Sequence, residues 1–489
     1  MPKIRCNSVF VSGLEKVRLY RGCTSSFCVD SSMDPSSSSS PPFMTKHYPS
    51  SNLPRKTKST VAFLYIISCI LVVIIMQPLA LQSIHHRPLV SKPRTELTFY
   101  PLKDPSVPAY RQPNKTWFMS SFEGHSIDGM PEHFVFPSSH PPRHRILCIN
   151  AHAESYALAA AKNIFPANAT VLRGITFVAD SFYDYENPWH SLNALSVFFS
   201  WMMENSCAKP TRFVIFEKGK VVKKVGPWIS ALLKACLGGE VAIDSLEDYG
   251  IACFEKAVVM RRGLGKMSTE RRHRLFEMIR CKAWKFCNAE KSGEREEEEE
   301  DGKGLRITVI GREGKRSFKN ETEVKLVMER ECKKVEGCRL NLVHLKNKSF
   351  CDQVKLMRDT DVVVTTHGAQ LSNMMFMAKG SSVMEMFPKG WLEGAGVGQY
   401  IYRWFASWCE MRYEGAWRDT QTEAHDCNPP HPRRRSACFS KQKDGQVGIN
   451  ETFLALWTAS VIQDRTRAVR SSNVHNNGGS SSFSCPCSV

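Results

Sequence analysis

With 489 residues the chain is long enough for two or three domains, and a 42% share of hydrophobic residues is that of a globular protein, which excludes a wholly disordered chain. The formal charge of +18 would suit nucleic acid, but the basic residues are scattered and no nucleic-acid motif accompanies them. The charge is read mainly as solvated surface, better matched to small anionic ligands or acidic polymers.

In chain order, residues 1–58 are serine-rich, with SSSSSPP at Ser36–Pro42, and read as a disordered cytosolic tail. A transmembrane signal-anchor is expected at 59–84. Val61–Leu81 carries no charge over 21 residues, enough to cross a hydrocarbon core of about 30 Å. A cleaved signal peptide would start near residue 1, whereas here Arg55, Lys56 and Lys58 press on the amino side of the span. That flank keeps the amino terminus cytosolic and makes the rest lumenal, a single-pass type II arrangement. All five N-x-S/T sequons follow the span, at Asn114, Asn168, Asn320, Asn347 and Asn450, as a glycosylated lumenal body requires. Asn320 is set aside as an acceptor because it adjoins an arginine-rich loop.

Residues 85–142 are proline-bearing and poor in apolar runs, and read as a lumenal stem. Fourteen of the 18 cysteines follow the span, where disulfides persist, and Cys281, Cys287, Cys332, Cys338 and Cys351 are candidates whose pairing stays open. No spacing among them makes a zinc site.

A first α/β half is expected over 143–291. Arg145–Ile149, Gly174–Val178, Arg212–Phe216 and Cys253–Met260 are strand-like, and Trp189–Met203, Trp228–Cys236 and Ser268–Cys287 helix-like, an alternation that implies a mostly parallel sheet. The acidic run at 292–304 cannot pack a core and reads as an exposed interdomain loop. A second α/β half spans 305–464, with strands at Leu305, Arg339, Val362 and Val383. A low-complexity, disordered tail is expected over 465–489.

Two loops of the second half carry the chemistry. Asp361–Pro388 reads as strand, tight turn at Gly368, helix over Ala369–Ala378, then strand. Such a turn aims free N–H groups and the positive end of a helix dipole at the crevice beyond the strand ends, where open α/β sheets bind nucleotides. Leu305–Ile310 is another apolar strand, and the GREGKRSFKNE loop after it brings Arg312, Lys315 and Arg316 to the same sheet edge, suited to a diphosphate.

HGA followed by Leu and Asn, then a strand with Glu before Phe-Pro, preceded by an Arg-rich loop ending in Asn-Glu, resembles glycosyltransferase family 61. That family includes plant Golgi xylosyl- and arabinosyltransferases and related animal N-acetylglucosaminyltransferases. The resemblance covers roughly 146–462, and the TFVADSFYDYENPWHSLNAL stretch is similar to the plant branch linked to xylan decoration. It implies two Rossmann-like domains facing a cleft (the GT-B type), an acceptor-side first half, and a nucleotide-sugar second half. It further implies inverting transfer of a pentose, xylose or arabinose, from a UDP-sugar to a cell-wall polysaccharide such as xylan in the Golgi lumen. Association with other Golgi glycosyltransferases fits that setting. Xylose transfer to the N-glycan core and a non-catalytic Golgi scaffold are the alternatives.

Arginines and helix N–H groups can stabilise a leaving diphosphate instead of a metal, and Arg312, Lys315, Arg316, Gly368 and Ala369 suit that task. No cofactor or metal is expected. His367 would donate to a phosphate or sugar oxygen or hold the loop. Glu385 would suit a ribose or sugar hydroxyl, and Asn373 would pack or cap. The one DxD, Asp359-Thr360-Asp361, precedes its strand and so sits across the sheet from the crevice. For the acceptor base, YDYENPWH offers Asp184, Glu186 and His190. Relatives place a histidine at such a junction and a carboxylate a few residues later, where this chain has Asn193 and Ala194.

Overall fold

The computed structural model describes residues 98–102, 132–137, 145–160, 165–166, 168–181, 183–261, 263–264, 267–289, 304–389, 391, 396–419, 442–473 and 485–487. The tail at 1–58, the span at 59–84, most of the 85–142 stem with Asn114, and the acidic run to Lys303 lie outside the described residues. Among the described residues no helix is long and apolar enough to cross a membrane.

The first half contains β1 (Tyr100–Pro101), β2 (His133–Phe136), β3 (Arg145–Asn150), β4 (Ser155–Ala160), β5 (Ala169–Ser181), α1 (Pro188–Glu204), β6 (Arg212–Glu217), β7 (Lys220–Val222), α2 (Pro227–Leu237), β8 (Ala242–Ile243), β9 (Ile251–Met260) and α3 (Thr269–Phe286). Its strands form one sheet in the order β1-β4-β3-β9-β5-β6-β7, with β2 also on β9 and β8 on β6. The expected parallel sheet holds only at its centre, where β9, β5, β6 and β8 pair in parallel. Elsewhere β2 and β3 pair antiparallel with β9, β4 with β3, and β7 with β6. Two of these pairs, β3 with β4 and β6 with β7, are hairpins. Lys218 and Gly219 both take positive φ (53° and 78°), as a two-residue turn requires to reverse a strand directly. Between the sheet and α1, Phe177 stacks on Phe198 and meets Phe213 and Trp201 edge-on, pairs worth about 0.5–1.5 kcal/mol each beyond the area they bury.

The second half contains β10 (Arg306–Gly311), α4 (Glu321–Cys332), β11 (Arg339–His344), α5 (Phe350–Arg358), β12 (Val362–Thr366), a 3-10 helix (Ala369–Phe376), β13 (Ser382–Phe387), α6 (Ile401–Trp408), β14 (Arg412–Arg418) and α7 (Glu451–Asn473). Its five strands are all parallel, in the order β11-β10-β12-β13-β14. β12 and β13 are buried along their whole length, which is why VVVTT and SVMEMF show no polar alternation. Sequence reading missed β14. As an edge strand it stays half-buried and carries Gly415 at φ 113°, so it lacks an apolar run. Helix starts follow local rules: the Asn187, Ser268 and Asn320 side chains cap α1, α3 and α4, and Ser349 with Asp352 forms a capping box on α5.

Along their helical layers the two halves pack directly against each other. Leu192, Phe276 and Ile279 from the first half share one apolar core with Val354, Met374, Phe376 and Phe405 from the second. Polar groups close the same seam: buried Arg280 donates to the Met375 and Cys409 carbonyls, Trp284 Nε1 to Phe376 O, and Trp228 Nε1 to Asn373 Oδ1 at 3.1 Å. Asn373 thus packs between halves, as its position one turn past the glycine suggested.

The candidate cysteines pair as Cys287–Cys351, which crosses the seam, and Cys332–Cys338. Cys148–Cys253 joins β3 to β9. The tail departs from the expected disorder: α7 runs through 464 to Asn473, and Cys485 and Cys487 are bonded to Cys281 and Cys207. Low complexity concealed this, because two cysteines supply the fixing that a core otherwise would. Of the sequons, Asn168 and Asn347 are exposed, while the Asn320 and Asn450 side chains each accept a backbone N–H at a helix start.

Candidate active site

The chain leaves β10, runs outward to β11 and returns across β10 to β12, so the loops after β10 and β12 diverge at the carboxyl edge of the sheet. Such a reversal opens a crevice. A pocket of 310 Å³ lies there, lined by Gly311, Arg312, Glu313, His344, Lys346 and Gln370 among others. At its floor a Cβ on Gly311 would come within 2.6 Å of Glu321 Oε2 and 2.8 Å of His344 Nε2, so a larger residue would displace that side-chain pair.

The arginine loop is fixed from outside. Phe318 bridges to Val447, Lys319 N donates to Val447 O, and Arg316 N donates to Asp444 O. Arg316 holds φ 60°, a left-handed conformation uncommon for a residue with a side chain, maintained by those contacts. Its guanidinium lies 5.8 Å from the Trp391 ring centre. Arg312 lies over the backbone of the next loop, with Nη1 3.4 Å from His367 O. A Cβ on Gly368 would overlap Arg312 Nη1, so the glycine is there for the arginine's approach; its own φ of 164° is ordinary extended backbone.

Neither guanidinium has a carboxylate partner among the described residues, and the Nε atoms of both are buried without an acceptor. Burial and the neighbouring Arg316 push Arg312 down to about 10, so it remains charged at neutral pH. Two like charges held together in a half-buried crevice call for an anion. Lys315 stands apart from them, exposed and paired with Asp444 at 3.0 Å.

His367 is buried, and its Nδ1 lies 2.5 Å from Glu385 Oε1. The other carboxylate oxygen accepts from Tyr413 Oη at 2.6 Å. Burial, then Glu385, pushes the Tyr413 phenol up, so it stays a donor. Both oxygens of Glu385 are therefore occupied within a fully buried site, and it positions His367 instead of meeting a ribose or sugar hydroxyl. With Nδ1 turned to the carboxylate, Nε2 is the ring nitrogen left for a ligand. Trp391, Phe387 and Tyr402 enclose the ring at 4.1, 4.8 and 5.2 Å. The expected α-helix from Ala369 is instead a 3-10 helix ending at Phe376, with Leu371 N bonded to Gly368 O. Gly368 and Ala369 still begin it.

Sequence reading missed Tyr413, Trp391 and Tyr402. The FPKGW segment carried a faint signal, one aromatic ending the Glu385 strand and a second four residues on.

Across the seam, the loop after β5 sets Asp184, Glu186 and His190 at the start of α1. Asp184 Oδ1 accepts from Asn187 N at 2.8 Å, while Oδ2 lies 3.4 Å from His190 Nδ1. The His190 side chain is 23% exposed and stacks on Tyr183 at 4.5 Å. Burial lowers its proton affinity, with Asp184 opposing. Glu186 is exposed on the same loop. Trp189, adjoining His190, packs on Tyr402, whose ring edges His367, so the loop after β5 and the HGA loop meet through one aromatic layer. The DxD is far from this edge: Asp361 accepts from Arg306 N and Nε, and Asp359 from Arg358, at the amino end of β12.

Comparison with known proteins agrees with this geometry. The family model described as Glycosyltransferase 61 matches residues 124–384, more than half the chain, and includes both loops and His190. The chain is similar to a Protein O-linked-mannose beta-1,4-N-acetylglucosaminyltransferase 2 of Xenopus tropicalis, 28% identical over 146 residues that cover 30% of this chain and 24% of the relative. Its counterpart in Takifugu rubripes is 26% identical over 233 residues, covering 42% and 37%. Beta-1,2-xylosyltransferase XYXT1 of Oryza sativa subsp. japonica is 23% identical over 163 residues, covering 32% and 34%. The chain thus spans about a quarter to a third of the length of these relatives. The family match, carried over an α/β body with the cationic loop and the HGA turn in one crevice, makes this chain a member of glycosyltransferase family 61.

Proposed function

We propose that the protein is an inverting pentosyltransferase of GT-B type that moves xylose or arabinose from a UDP-sugar to a cell-wall polysaccharide such as xylan. The observation that carries this reading is the pair Arg312 and Arg316, charged, without carboxylate partners, and laid against Gly368 at the sheet's reversal point. The nucleoside enters the pocket beside Gly311 and the diphosphate lies on the two guanidiniums. The rice relative's name supports xylose, and the names of all three relatives specify beta linkages, as inversion of an alpha-linked UDP-sugar would give.

In the reaction an acceptor hydroxyl attacks the anomeric carbon from the face opposite UDP. His190 Nε2 takes the hydroxyl proton while Asp184 holds Nδ1, and the bond from carbon to the phosphate oxygen breaks with its electron pair going to UDP. Arg312 and Arg316 stabilise that charge. His367 Nε2 donates to a donor oxygen, held in place by Glu385. No divalent metal is needed, because guanidiniums stand where one would act and the DxD carboxylates are occupied by Arg306 and Arg358. The uncharged 61–81 span with its basic flank supports a type II Golgi anchor with a lumenal body, glycosylated at Asn114, Asn168, Asn347 and Asn450.

A screen of the purified lumenal body against UDP-xylose, UDP-arabinose and UDP-N-acetylglucosamine, with xylo-oligosaccharide acceptors and EDTA present, tests the reading. Pentosyl product of inverted anomeric configuration, beta-linked for xylose, is expected in chelator. Transfer of N-acetylglucosamine alone, or activity restored only by manganese, would overturn the donor or the metal assignment respectively.

A further inference from the structure

The sites described follow the order of the strands: the pocket at β10 and β11, the guanidiniums at β10, His367 after β12. The same carboxyl edge continues to β13, where the family match ends at residue 384, and to β14 beyond it, and holds a third cation. Arg418 ends β14 and lies 4.9 Å over Phe387, the ring stacked on His367. Its Nη2 donates to Gln399 Oε1 at 3.1 Å, its Nη1 is enclosed with no acceptor, and no carboxylate pairs with it among the described residues. An enclosed donor left unmet is costly, so an arginine kept there without an acceptor among the described residues points to one supplied by a ligand.

Beside it, Tyr400 and Trp404 are 40% and 43% exposed with ring centres 6.0 Å apart. Tyr400 is the residue just before α6 and Trp404 lies one turn into it, whereas Tyr402 and Phe405 of the same helix are buried. Exposed aromatics next to an unsatisfied planar donor match the two sides of a sugar, its apolar C–H face and its hydroxyl rim.

We propose that Arg418, Gln399, Tyr400 and Trp404 form a saccharide subsite at the carboxyl end of β14, in which Arg418 binds sugar hydroxyl oxygens and the aromatic pair takes the ring face. This rests on the reading above, which runs the nucleotide-sugar along the edge from β11 toward β14. The sugar is either the one transferred or the first unit of the acceptor.

Calorimetry on the purified lumenal body with UDP, UDP-xylose and a xylo-oligosaccharide separates these. Arg418→Gln should leave the UDP Kd within about twofold and raise one saccharide Kd by roughly tenfold, the loss of one charge-assisted hydrogen bond. If UDP-xylose alone weakens, the subsite holds the transferred sugar; if the oligosaccharide alone weakens, it holds the acceptor. Trp404→Ala should weaken the same ligand and Trp404→Phe restore most of it. Unchanged affinity for both saccharides, or a parallel loss of UDP that marks a purely structural arginine, overturns the subsite. A wild-type protein that binds no UDP instead defeats the parent reading, so the two failures are distinct.

Discussion

His190→Ala is expected to cut turnover by about 10² to 10⁴, the contribution of a positioned general base, while UDP affinity stays within a few-fold. The ring is partly exposed at the start of α1, faces Asp184 through Nδ1, and lies across an aromatic layer from the HGA loop. His367 is the other histidine at this site, but its burial and its enclosing rings leave it little reach toward an incoming hydroxyl. The pH profile carries a sign. Burial lowers the His190 proton affinity below its ordinary value of 6.5, so the neutral base persists as pH falls and the acid limb of kcat/KM lies below 6.5. Asp184 opposes that shift, so Asp184→Asn should move the limb further down. Retained turnover in His190→Ala with loss in Asp184→Ala or Glu186→Ala would make a carboxylate the base.

Arg312→Ala and Arg316→Ala are each expected to weaken UDP binding by about 1.5–3 kcal/mol, the scale of charge-assisted hydrogen bonds to an anion. Folding should survive, because neither side chain holds an ion pair among the described residues and each repels the other. The double variant should lose less than the sum of the singles, since removing one charge already relieves the other. Gly368→Ala tests the same contact without removing a charge. Its Cβ takes the space of Arg312 Nη1, so UDP affinity should fall while the melting temperature holds, as the extended backbone there accepts alanine. Isothermal titration with UDP and a thermal melt of each variant decide the matter. Unchanged affinity in both arginine variants would remove this loop from the donor site.

Much of the second half was legible because its strands are buried on both faces, and such strands announce themselves as unbroken β-branched runs, Val362–Thr366 most plainly. The HGA turn and the arginine loop were readable from their placement after those strands. What stayed hidden depends on contacts distant in sequence. Glu385 reads as a ligand-binding acid until Tyr413, on an edge strand with no apolar run, is seen to take its second oxygen. The seam between halves was obscured for a similar reason: Met374, Phe376 and Phe405 announce burial but not against what. The Cys485 and Cys487 bonds join residues 204 and 280 positions apart, across a segment whose composition signals disorder.

The central claim, that a nucleotide diphosphate lies on the loops after β10 and β12, is tested most directly by hydrogen–deuterium exchange of the wild-type protein with and without UDP. The account predicts slower exchange in residues 311–318 and 367–371, with 183–190 unchanged until an acceptor is added. Protection confined to 183–190, or to neither loop of the second half while UDP is bound, would contradict it.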